Sequence, residues 1–273
     1  MTAAEHADAG DTLRPLAEWS PPRHPVGVLT DIDDTLTTEG AITRDALEAL
    51  AALKAAGLVV IPVTGRPAGW SETFATTWPV DAVVAENGAL AFVPGGPGAP
   101  LAKLHQQDAA TRAANFARMQ AVLERIEREV PGAVRATDSP GRECDIAIDH
   151  SEFTQLPPER IAQCVALMRA AGMNATVSSI HINGWYGSHD KLEGARWIVR
   201  TLLERDLDAE IDRWVYVGDS TNDQRMFQHL PHSIGVANIA RFVPQLQYRP
   251  RYVTRSERGA GFAEVAKRLL ATR

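Results

Sequence analysis

The sequence predicts an α/β fold, a doubly wound parallel sheet that carries an inserted α+β domain. Near both ends of the chain, short apolar runs alternate with helical patterns, which is typical of a parallel sheet with crossover helices. Between these parts the pattern becomes helix–strand–strand, twice over, which indicates a small domain with an antiparallel sheet. The chain has 273 residues, 45% of them hydrophobic, enough for the cores of two domains.

The first α/β segment contains three apolar runs that predict buried strands, at residues 26–29, 58–63 and 81–85. Each run is continuous and bounded by turn residues, as expected for strands covered on both faces. A helix is predicted over residues 43–56, because Thr43 suits its N-cap and Gly57 ends it. A turn at residues 64–67 leads into a second helix before the third strand.

Residues 89–186 are expected to form the inserted domain, which would lie over the core as a cap. It opens with a Gly- and Pro-rich hairpin or loop at residues 92–100. The helices and strands predicted after it are, in chain order, a helix at 111–130, strands at 133–137 and 143–149, a helix at 158–171 and a strand at 175–182. A turn is predicted at Asn183-Gly184.

The strand at 143–149 alternates in polarity. Its two faces carry, respectively, Cys144, Ile146 and Ile148, and Asp145, Ala147 and Asp149. Such alternation predicts one buried face and one open face.

The α/β pattern returns near Gly187. A helix is predicted at 192–206, a buried strand at 214–217, short strands at 233–236 and 251–254, and a closing helix at 262–271. The α/β core is therefore expected to comprise residues 25–88 and 187–273. Residues 1–24, rich in Ala, Asp and Pro, are expected to be a partly disordered lead-in.

Composition excludes several classes of function. The net charge of −6 argues against a nucleic-acid or membrane-surface role, since either favours a basic face. The two cysteines, Cys144 and Cys164, have no CxxC spacing, so neither a disulfide framework nor a zinc site is expected. The start of the chain does not resemble a secretory signal, and no apolar run reaches membrane-spanning length. We therefore expect a soluble, cytoplasmic protein.

Three aspartates, Asp31, Asp33 and Asp34, directly follow the first predicted strand. Their charges repel one another, and a bound divalent cation would offset this cost. The carboxyl ends of parallel strands share one edge of a sheet. The polar groups expected to converge at that edge are Asp31, Asp33, Thr35, Thr64-Gly65, Lys191, Asp219 and Asp223. Carboxylates, a hydroxyl and an ammonium together suit Mg²⁺ with a phosphoryl group on its open side.

Four segments, in chain order, resemble the four motifs of the haloacid dehalogenase superfamily: Asp31-Ile32-Asp33-Asp34-Thr35, Thr64-Gly65-Arg66, Lys191, and Gly218-Asp219-Ser220-Thr221-Asn222-Asp223. Glu86-Asn87-Gly88-Ala89 and the inserted domain resemble subfamily IIB. That group includes Cof-type sugar phosphatases, sucrose-phosphate phosphatase, mannosyl-3-phosphoglycerate phosphatase, trehalose-6-phosphate phosphatase and phosphomannomutase. The resemblance extends from Pro25 to the C-terminus and implies a C2B-type cap and a Mg²⁺-dependent phosphatase for a small phosphomonoester, such as a sugar phosphate.

The resemblance also implies residue roles. Asp31 is expected to attack phosphorus and become a phospho-aspartate, and Asp33 to be the general acid and then the general base. Metal ligands are expected at Asp31, Asp33 (through its carbonyl) and Asp219. Phosphate or substrate contacts are expected from Thr64, Gly65, Lys191 and Asn222, with Asp223 and Thr35 in support. Asp34 replaces the Gly or Asn common in the family and is assigned no role.

Physical chemistry agrees with these roles. A placed general acid contributes about 10²- to 10⁴-fold, because an alkoxide leaves poorly without a proton. A covalent intermediate divides one hard displacement into two easier ones. Lys191 and Mg²⁺ would offset charge on the transferring group.

Contacts to the leaving group are expected from the open face of the cap sheet, through Arg142, Asp145, Ser179 or His181. Trp185-Tyr186, where the chain returns to the core, is read as hinge packing rather than a sugar-stacking site. Two alternatives stay open: a sugar phosphomutase of the same superfamily, and a phosphometabolite-binding protein without turnover. The expected partner is a small phosphorylated metabolite, with neither nucleic acid nor membrane, and the chain is expected to be a monomer or homodimer.

Overall fold

The computed structural model describes residues 13–96 and 99–271. Its strands, in chain order, are β1 (Arg14–Pro15), β2 (Gly27–Thr30), β3 (Thr37–Thr38), β4 (Ala41–Ile42), β5 (Val59–Pro62), β6 (Val83–Ala85), β7 (Leu90–Val93), β8 (Ala102–His105), β9 (Val134–Arg135), β10 (Ile146–Asp149), β11 (Asn174–Val177), β12 (His181–Trp185), β13 (Trp214–Gly218), β14 (His232–Gly235) and β15 (Tyr252–Val253). Its α-helices are α1 (Arg44–Ala55), α2 (Ala68–Thr77), α3 (Ala109–Glu129), α4 (Pro158–Ala170), α5 (Lys191–Leu203), α6 (Gln224–His229) and α7 (Arg258–Leu270).

The central sheet has six parallel strands in the order β1-β15-β14-β13-β2-β5. Helices α1 and α7 pack on one face through residues such as Leu50 and Phe262. Helices α5 and α6 pack on the other through residues such as Ile198 and Phe227. Because both faces are covered, β2 and β13 are buried along their whole length and carry mostly apolar side chains. The predicted doubly wound α/β core is confirmed.

The third predicted strand, β6, is joined to this sheet through a parallel bridge between Val63 and Val84. Its main partner is the antiparallel β7, which in turn pairs with β8. Strands β7 and β8 thus form the predicted hairpin, although they lie in the range assigned to the cap. Phe92 of β7 packs in the core cluster, so we propose that the cap begins after β8.

The inserted part has a four-stranded antiparallel sheet in the order β11-β12-β10-β9. Helices α3 and α4 cover one face, where Leu123 and Met168 pack against Ile146, Ile148 and Ile182. The chain order α3-β9-β10-α4-β11-β12 matches the predicted double helix–strand–strand pattern.

Two details of this part differ from the sequence expectation. The strand predicted at 175–182 is two strands, and Asn183-Gly184 lies inside β12 rather than in a turn. The turn is at residues 178–180, where the Ser178 hydroxyl accepts a hydrogen bond from the His181 amide. A serine can close such a turn with its side chain, whereas Asn-Gly is only a statistical signal.

The face of β10 expected to be open is also buried. Asp145 and Asp149 are covered, as are His181 and Asn183 on the neighbouring strand β12. This face is covered because it lies against the α/β core. The alternation of polar and apolar residues therefore marks a polar interface rather than a solvated surface.

The predicted lead-in, residues 1–24, is described only in part. Residues 1–12 of the predicted lead-in lie outside the described part of the chain. Arg14 and Pro15, by contrast, form the edge strand β1, and the Trp19 side chain is fully buried. The Trp19 indole donates a hydrogen bond to His232, which ties this segment to the sheet.

Helix α7 begins at Arg258, four residues before the predicted start at 262. In the described residues, no helix combines the length and apolarity that a membrane crossing requires.

Candidate active site

The first group of site residues is placed by two adjacent parallel strands. Asp31 directly follows β2 and Asp219 directly follows β13, and the amide of Asp31 donates to the carbonyl of Val217 at 2.8 Å. Lys191 is the first residue of α5, where the Asp190 side chain caps the helix. All three side chains are buried. The structure therefore brings these predicted residues together at the carboxyl edge of the sheet.

Lys191 lies between two carboxylates. Its Nζ donates to Asp31 Oδ1 at 2.5 Å and to Asp223 Oδ1 at 2.7 Å. Burial alone would lower the pKa of Lys191, but the charges of Asp223 and Asp31 outweigh it and raise that pKa. Lys191 therefore remains a cation, and these two bonds leave its third N–H available for another acceptor.

Asp223 makes hydrogen bonds through both of its oxygens. Oδ1 accepts from Lys191 and from the Tyr216 hydroxyl at 2.5 Å, and Oδ2 accepts from the amides of Asp219 and Ser220. These four bonds leave little lone-pair capacity for a metal ion. Asp223 thus contacts Lys191 directly, and its supporting role stays a prediction.

Asp219 has the opposite character. Its Oδ2 accepts from Asn238 Nδ2 at 3.1 Å, while the buried Oδ1 has no hydrogen-bond partner in the described residues. Carboxylate oxygens of Asp31, Asp219 and Asp223 lie within 4.8 Å of one another. A buried carboxylate oxygen without a partner is costly, and a hard divalent cation with oxygen ligands would satisfy it. The donor set therefore fits Mg²⁺, with Asp31 and Asp219 better placed to bind it than Asp223.

The electrostatics of the carboxylates point the same way. Burial raises the pKa of Asp31, Lys191 opposes that rise, and the charges of Asp223 and Asp33 add to it. Burial, together with the charges of Asp31 and Asp223, raises the pKa of Asp219 well above its usual range. A cation at this point would reverse the balance and favour the ionised forms.

Asp33 lies at the edge of the same cavity and is held by an arginine that the sequence analysis quoted but assigned no role. Arg66 Nε donates to Asp33 Oδ1 at 2.8 Å, and its Nη2 donates to Glu152 of the cap at 3.1 Å. The guanidinium also lies over the Trp70 ring, 4.5 Å from the ring centroid. The proposed acid/base is therefore connected to the cap by one side chain.

Of the other predicted residues, Gly65 and Asn222 line the cavity with Asp31 and Asp33, whereas Thr64 and Thr35 are buried beside it. Thr64 is fully buried, and its hydroxyl accepts from the amide of Arg66. The Thr35 hydroxyl is buried and unpartnered in the part of the chain that the structure describes.

Asp34, to which the sequence analysis gave no role, points away from this group. Its carboxylate pairs with Arg241 at 2.7 Å and with Arg258 at 3.1 Å. Its backbone φ is +55°, a left-handed conformation that explains why Gly or Asn is common at this point.

The cap forms the other wall of the cavity. Ser178, Ser179, Ile180, His181 and Asn183 face the core residues. The enclosed volume is about 10 Å³, roughly the space of one water molecule. The Thr221 hydroxyl donates to the carbonyl of Val177, which adds a direct core–cap contact. The cap is therefore closed in this structure and must move to admit a substrate.

A seam of buried hydrogen bonds between core and cap escaped the sequence analysis. Glu86 accepts from the amides of Glu143, Cys144 and Asp145 in the cap and from the amide of Ala68 at the start of α2. Burial raises the pKa of Glu86 to about 8, and these hydrogen bonds oppose that rise. Glu86 and Asn87 both have a positive φ, +47° and +55°. This uncommon backbone conformation is visible in the structure and has no local sign in the sequence.

A second part of the seam is centred on Arg142. This fully buried guanidinium pairs with Asp138 and Asp145 of the cap and donates to the carbonyl of Gly65 at 3.0 Å. Asn87 of the core donates to Asp145 as well. Arg142 and Asp145, two of the predicted leaving-group contacts, therefore lie behind the cavity wall, while Ser179 and His181 line it.

Comparisons with known proteins agree with this architecture. Residues 28–108 match the model of the haloacid dehalogenase-like hydrolases. No curated protein matches the chain in sequence.

Solved structures resemble nearly the whole chain. A Thermoplasma acidophilum protein is 18% identical, with a TM-score of 0.67 over 90% of this chain and 99% of that one. The sucrose-phosphatase of a Synechocystis species, solved with sucrose and phosphate, is 16% identical, with a TM-score of 0.64 over 90% of this chain and 98% of that one. A subclass IIB sugar phosphatase of the haloacid dehalogenase superfamily is 15% identical, with a TM-score of 0.62 over 90% and 99%.

At these identities the structural likeness establishes the fold, a parallel-sheet core with an inserted antiparallel cap. The range matched by the family model includes Asp31, Asp33, Thr64 and Gly65. Over residues 28–108 the chain is similar to the haloacid dehalogenase-like hydrolases, and nearly the whole chain has the fold of the subclass IIB sugar phosphatase.

Proposed function

We propose that the chain is a Mg²⁺-dependent phosphatase that hydrolyses a small phosphomonoester, such as a sugar phosphate, through a phospho-aspartate at Asp31. The observation that carries this proposal is the position of Asp31. It lies at the floor of the cavity, against Lys191 and beside Asp33, within reach of a carboxylate oxygen that lacks a partner in the described residues. The similar structures include a sucrose-phosphatase and a sugar phosphatase, which supports the substrate class.

In the first step, a carboxylate oxygen of Asp31 attacks phosphorus, and the bond from phosphorus to the leaving oxygen breaks. Asp33 gives its proton to that oxygen, so that a neutral alcohol departs. Lys191 holds Asp31 through Oδ1 and offers its remaining N–H to the phosphoryl group. The step leaves phospho-Asp31 and an ionised Asp33.

In the second step, Asp33 takes a proton from a water molecule, whose oxygen attacks the phosphorus of phospho-Asp31. The phosphorus–Asp31 bond breaks, inorganic phosphate departs, and both carboxyl groups return to their starting states. Arg66 orients Asp33 through the bond at 2.8 Å. The closed cap limits access of other water molecules to the intermediate.

Mg²⁺ would be held by Asp31, by Asp219 and by the backbone carbonyl of Asp33. When bound, it supplies positive charge against the phosphoryl oxygens. Asn238 and Arg241 contact the far side of Asp219 and keep that carboxylate in place.

The test is release of inorganic phosphate from a panel of sugar phosphates, glycerate phosphates and nucleotides, with Mg²⁺ and with EDTA. We expect release that requires Mg²⁺ and disappears in Asp31→Asn. Movement of phosphate between sugar positions without net release would favour a mutase and contradict the proposal. Tight binding of a metabolite without any release would contradict it in favour of a binding protein.

A further inference from the structure

We propose that this site selects phosphomonoesters whose leaving alcohol is uncharged and rejects those that carry a second phosphate or a carboxylate. This inference rests on the proposed function and narrows its substrate class. It follows from the way in which the charged residues around the leaving-group side of the cavity are already paired.

Arg142 lies beside His181, which lines the cavity, and two carboxylates of the cap neutralise its charge. Its Nε and Nη2 donate to the two oxygens of Asp138, both at 2.9 Å, and its Nη1 donates to Asp145 at 2.7 Å. All three residues belong to one short segment of the cap, so these pairs persist when the cap opens. Arg142 therefore cannot serve as a free cation for a second anionic group.

Arg66 is the corresponding cation of the core, and carboxylates surround it as well. Asp33 and Glu152 accept from it, and Asp138 lies 3.7 Å from its Nη1, which makes no hydrogen bond to the described residues. Arg66 and Arg142 together thus face four carboxylates. The leaving-group side has an excess of negative charge among the residues that the structure describes.

The cap side chains that line the cavity itself carry hydroxyl, amide, imidazole and aliphatic groups. His181 lies between Arg142 and Glu152, with its Nε2 at 2.8 Å from the Glu152 carboxylate. The His181 imidazole is therefore already occupied by a carboxylate of the cap. His150, behind the turn, hydrogen-bonds the carbonyl of Ser178, and burial lowers its pKa.

These groups favour hydroxyls over charges. Serine hydroxyls and the Asn183 amide can exchange hydrogen bonds with a polyol, and Asn183 is itself oriented by its bond to Asp145 at 3.0 Å. An additional carboxylate or phosphate would be desolvated near Glu152, while Arg66 and Arg142 are already paired with carboxylates. Juxtaposed like charges cost several kcal/mol, which corresponds to a discrimination of about 100-fold or more.

The test compares matched substrates that differ in one charged group. Glucose 6-phosphate is paired with 6-phosphogluconate, glycerol 3-phosphate with 3-phosphoglycerate, and fructose 6-phosphate with fructose 1,6-bisphosphate. We expect kcat/KM to favour the first member of each pair by about 100-fold, with Mg²⁺ in excess. Comparable kcat/KM within the pairs, or a preference for the second members, would overturn the inference.

A variant distinguishes charge from shape. Glu152→Gln removes one carboxylate from Arg66 with little change in size, and we expect it to raise kcat/KM for the second member of each pair about tenfold relative to the first. Glu159→Gln makes the same change at an exposed position of the cap and should leave the ratio unchanged. An unchanged ratio in Glu152→Gln would show that the charge of Glu152 does not determine selectivity, and would contradict the argument.

Binding separates this inference from the proposed function. Asp31→Asn with Mg²⁺ can be titrated calorimetrically with both members of each pair. If the members with an uncharged leaving alcohol bind and their partners do not, the selectivity holds. If the wild type then releases no phosphate, only the proposed function fails. If both members bind equally well, the selectivity fails, whatever the turnover.

Discussion

The core side and the cap side of the cavity handle charge differently. On the core side, Lys191 lies between Asp31 and Asp223, and one oxygen of Asp219 has no partner in the described residues. On the cap side, the buried Arg142 is neutralised by two carboxylates of its own segment. The core side thus leaves charged groups available for the proposed cation and phosphoryl group, whereas the charges of the cap side are paired with one another.

This contrast predicts different effects for substitutions on the core side and substitutions in the seam between core and cap. Substitutions on the core side should reduce turnover with little change in stability. Substitutions in the seam should reduce the free energy of unfolding, because each seam group satisfies several buried partners.

Asp33→Asn removes the proposed proton donor while the size of the side chain stays the same. We expect kcat for the best substrate of the panel to fall by about 10² to 10⁴, because the alkoxide must leave without a proton. Phosphate release at saturating substrate measures the effect. Asp34→Asn, one residue later, changes only the contacts to Arg241 and Arg258 and should lower kcat far less. Unchanged turnover in Asp33→Asn would contradict the mechanism.

Glu86→Ala should instead act on stability. It leaves the amides of Ala68, Cys144 and neighbouring residues buried without an acceptor, so we expect the free energy of unfolding to fall by about 4 kcal/mol. Urea unfolding followed by circular dichroism measures this value. Glu72→Ala, on the exposed side of α2, is the matched control and should change stability little. A wild-type midpoint for Glu86→Ala would show that the seam does not hold the domains together.

His189, in the segment that returns from cap to core, should make stability depend on pH. Burial lowers its pKa from 6.5 to about 4. Between these values the unfolded chain takes up a proton that the folded chain refuses, so stability falls as pH falls, by about 3 kcal/mol over the interval. In His189→Leu the loss of stability between pH 6.5 and pH 4 should be smaller by that amount. Unfolding curves at both pH values test this, and equal pH dependence in the two proteins would refute it.

Tyr216→Phe should have the smallest effect, on the core side. It removes the hydroxyl that donates to Asp223 and keeps the ring contact with Phe227. Lys191 would then be held less firmly against Asp31, and we expect kcat to fall about tenfold with little change in KM. Tyr248→Phe, at a partly exposed ring, is the control. A change in KM alone would place Tyr216 in binding rather than in positioning.

The sequence predicts the core side well because its residues are local to strand ends. Asp31 and Asp219 each follow an apolar run, and adjacent parallel strands bring such positions together. The fold class and the double helix–strand–strand order of the insert also followed from the sequence, because hydrophobic patterns are local. The roles assigned to these residues stay predictions until kinetics tests them.

The seam could not be predicted in this way. Glu86 meets amides 57 to 59 positions away in sequence, and Arg66 meets Glu152 at a separation of 86. Nothing in the local pattern specifies such a partner. The face of β10 was expected to be open because its aspartates are polar, yet the core buries them. The Asn183-Gly184 pair was read as a turn, but β10 and β11 flank it as neighbouring strands.

The most direct test of the central claim is chemical identification of the phosphorylated residue. The wild-type chain would be acid-quenched during turnover of its best substrate with Mg²⁺, digested and mapped by mass spectrometry. The account predicts phosphate on Asp31 of the peptide that contains residues 30–35, and none when EDTA replaces Mg²⁺. Rapid phosphate release with Asp31 unmodified at every quench time, or with phosphate on a different residue, would contradict it.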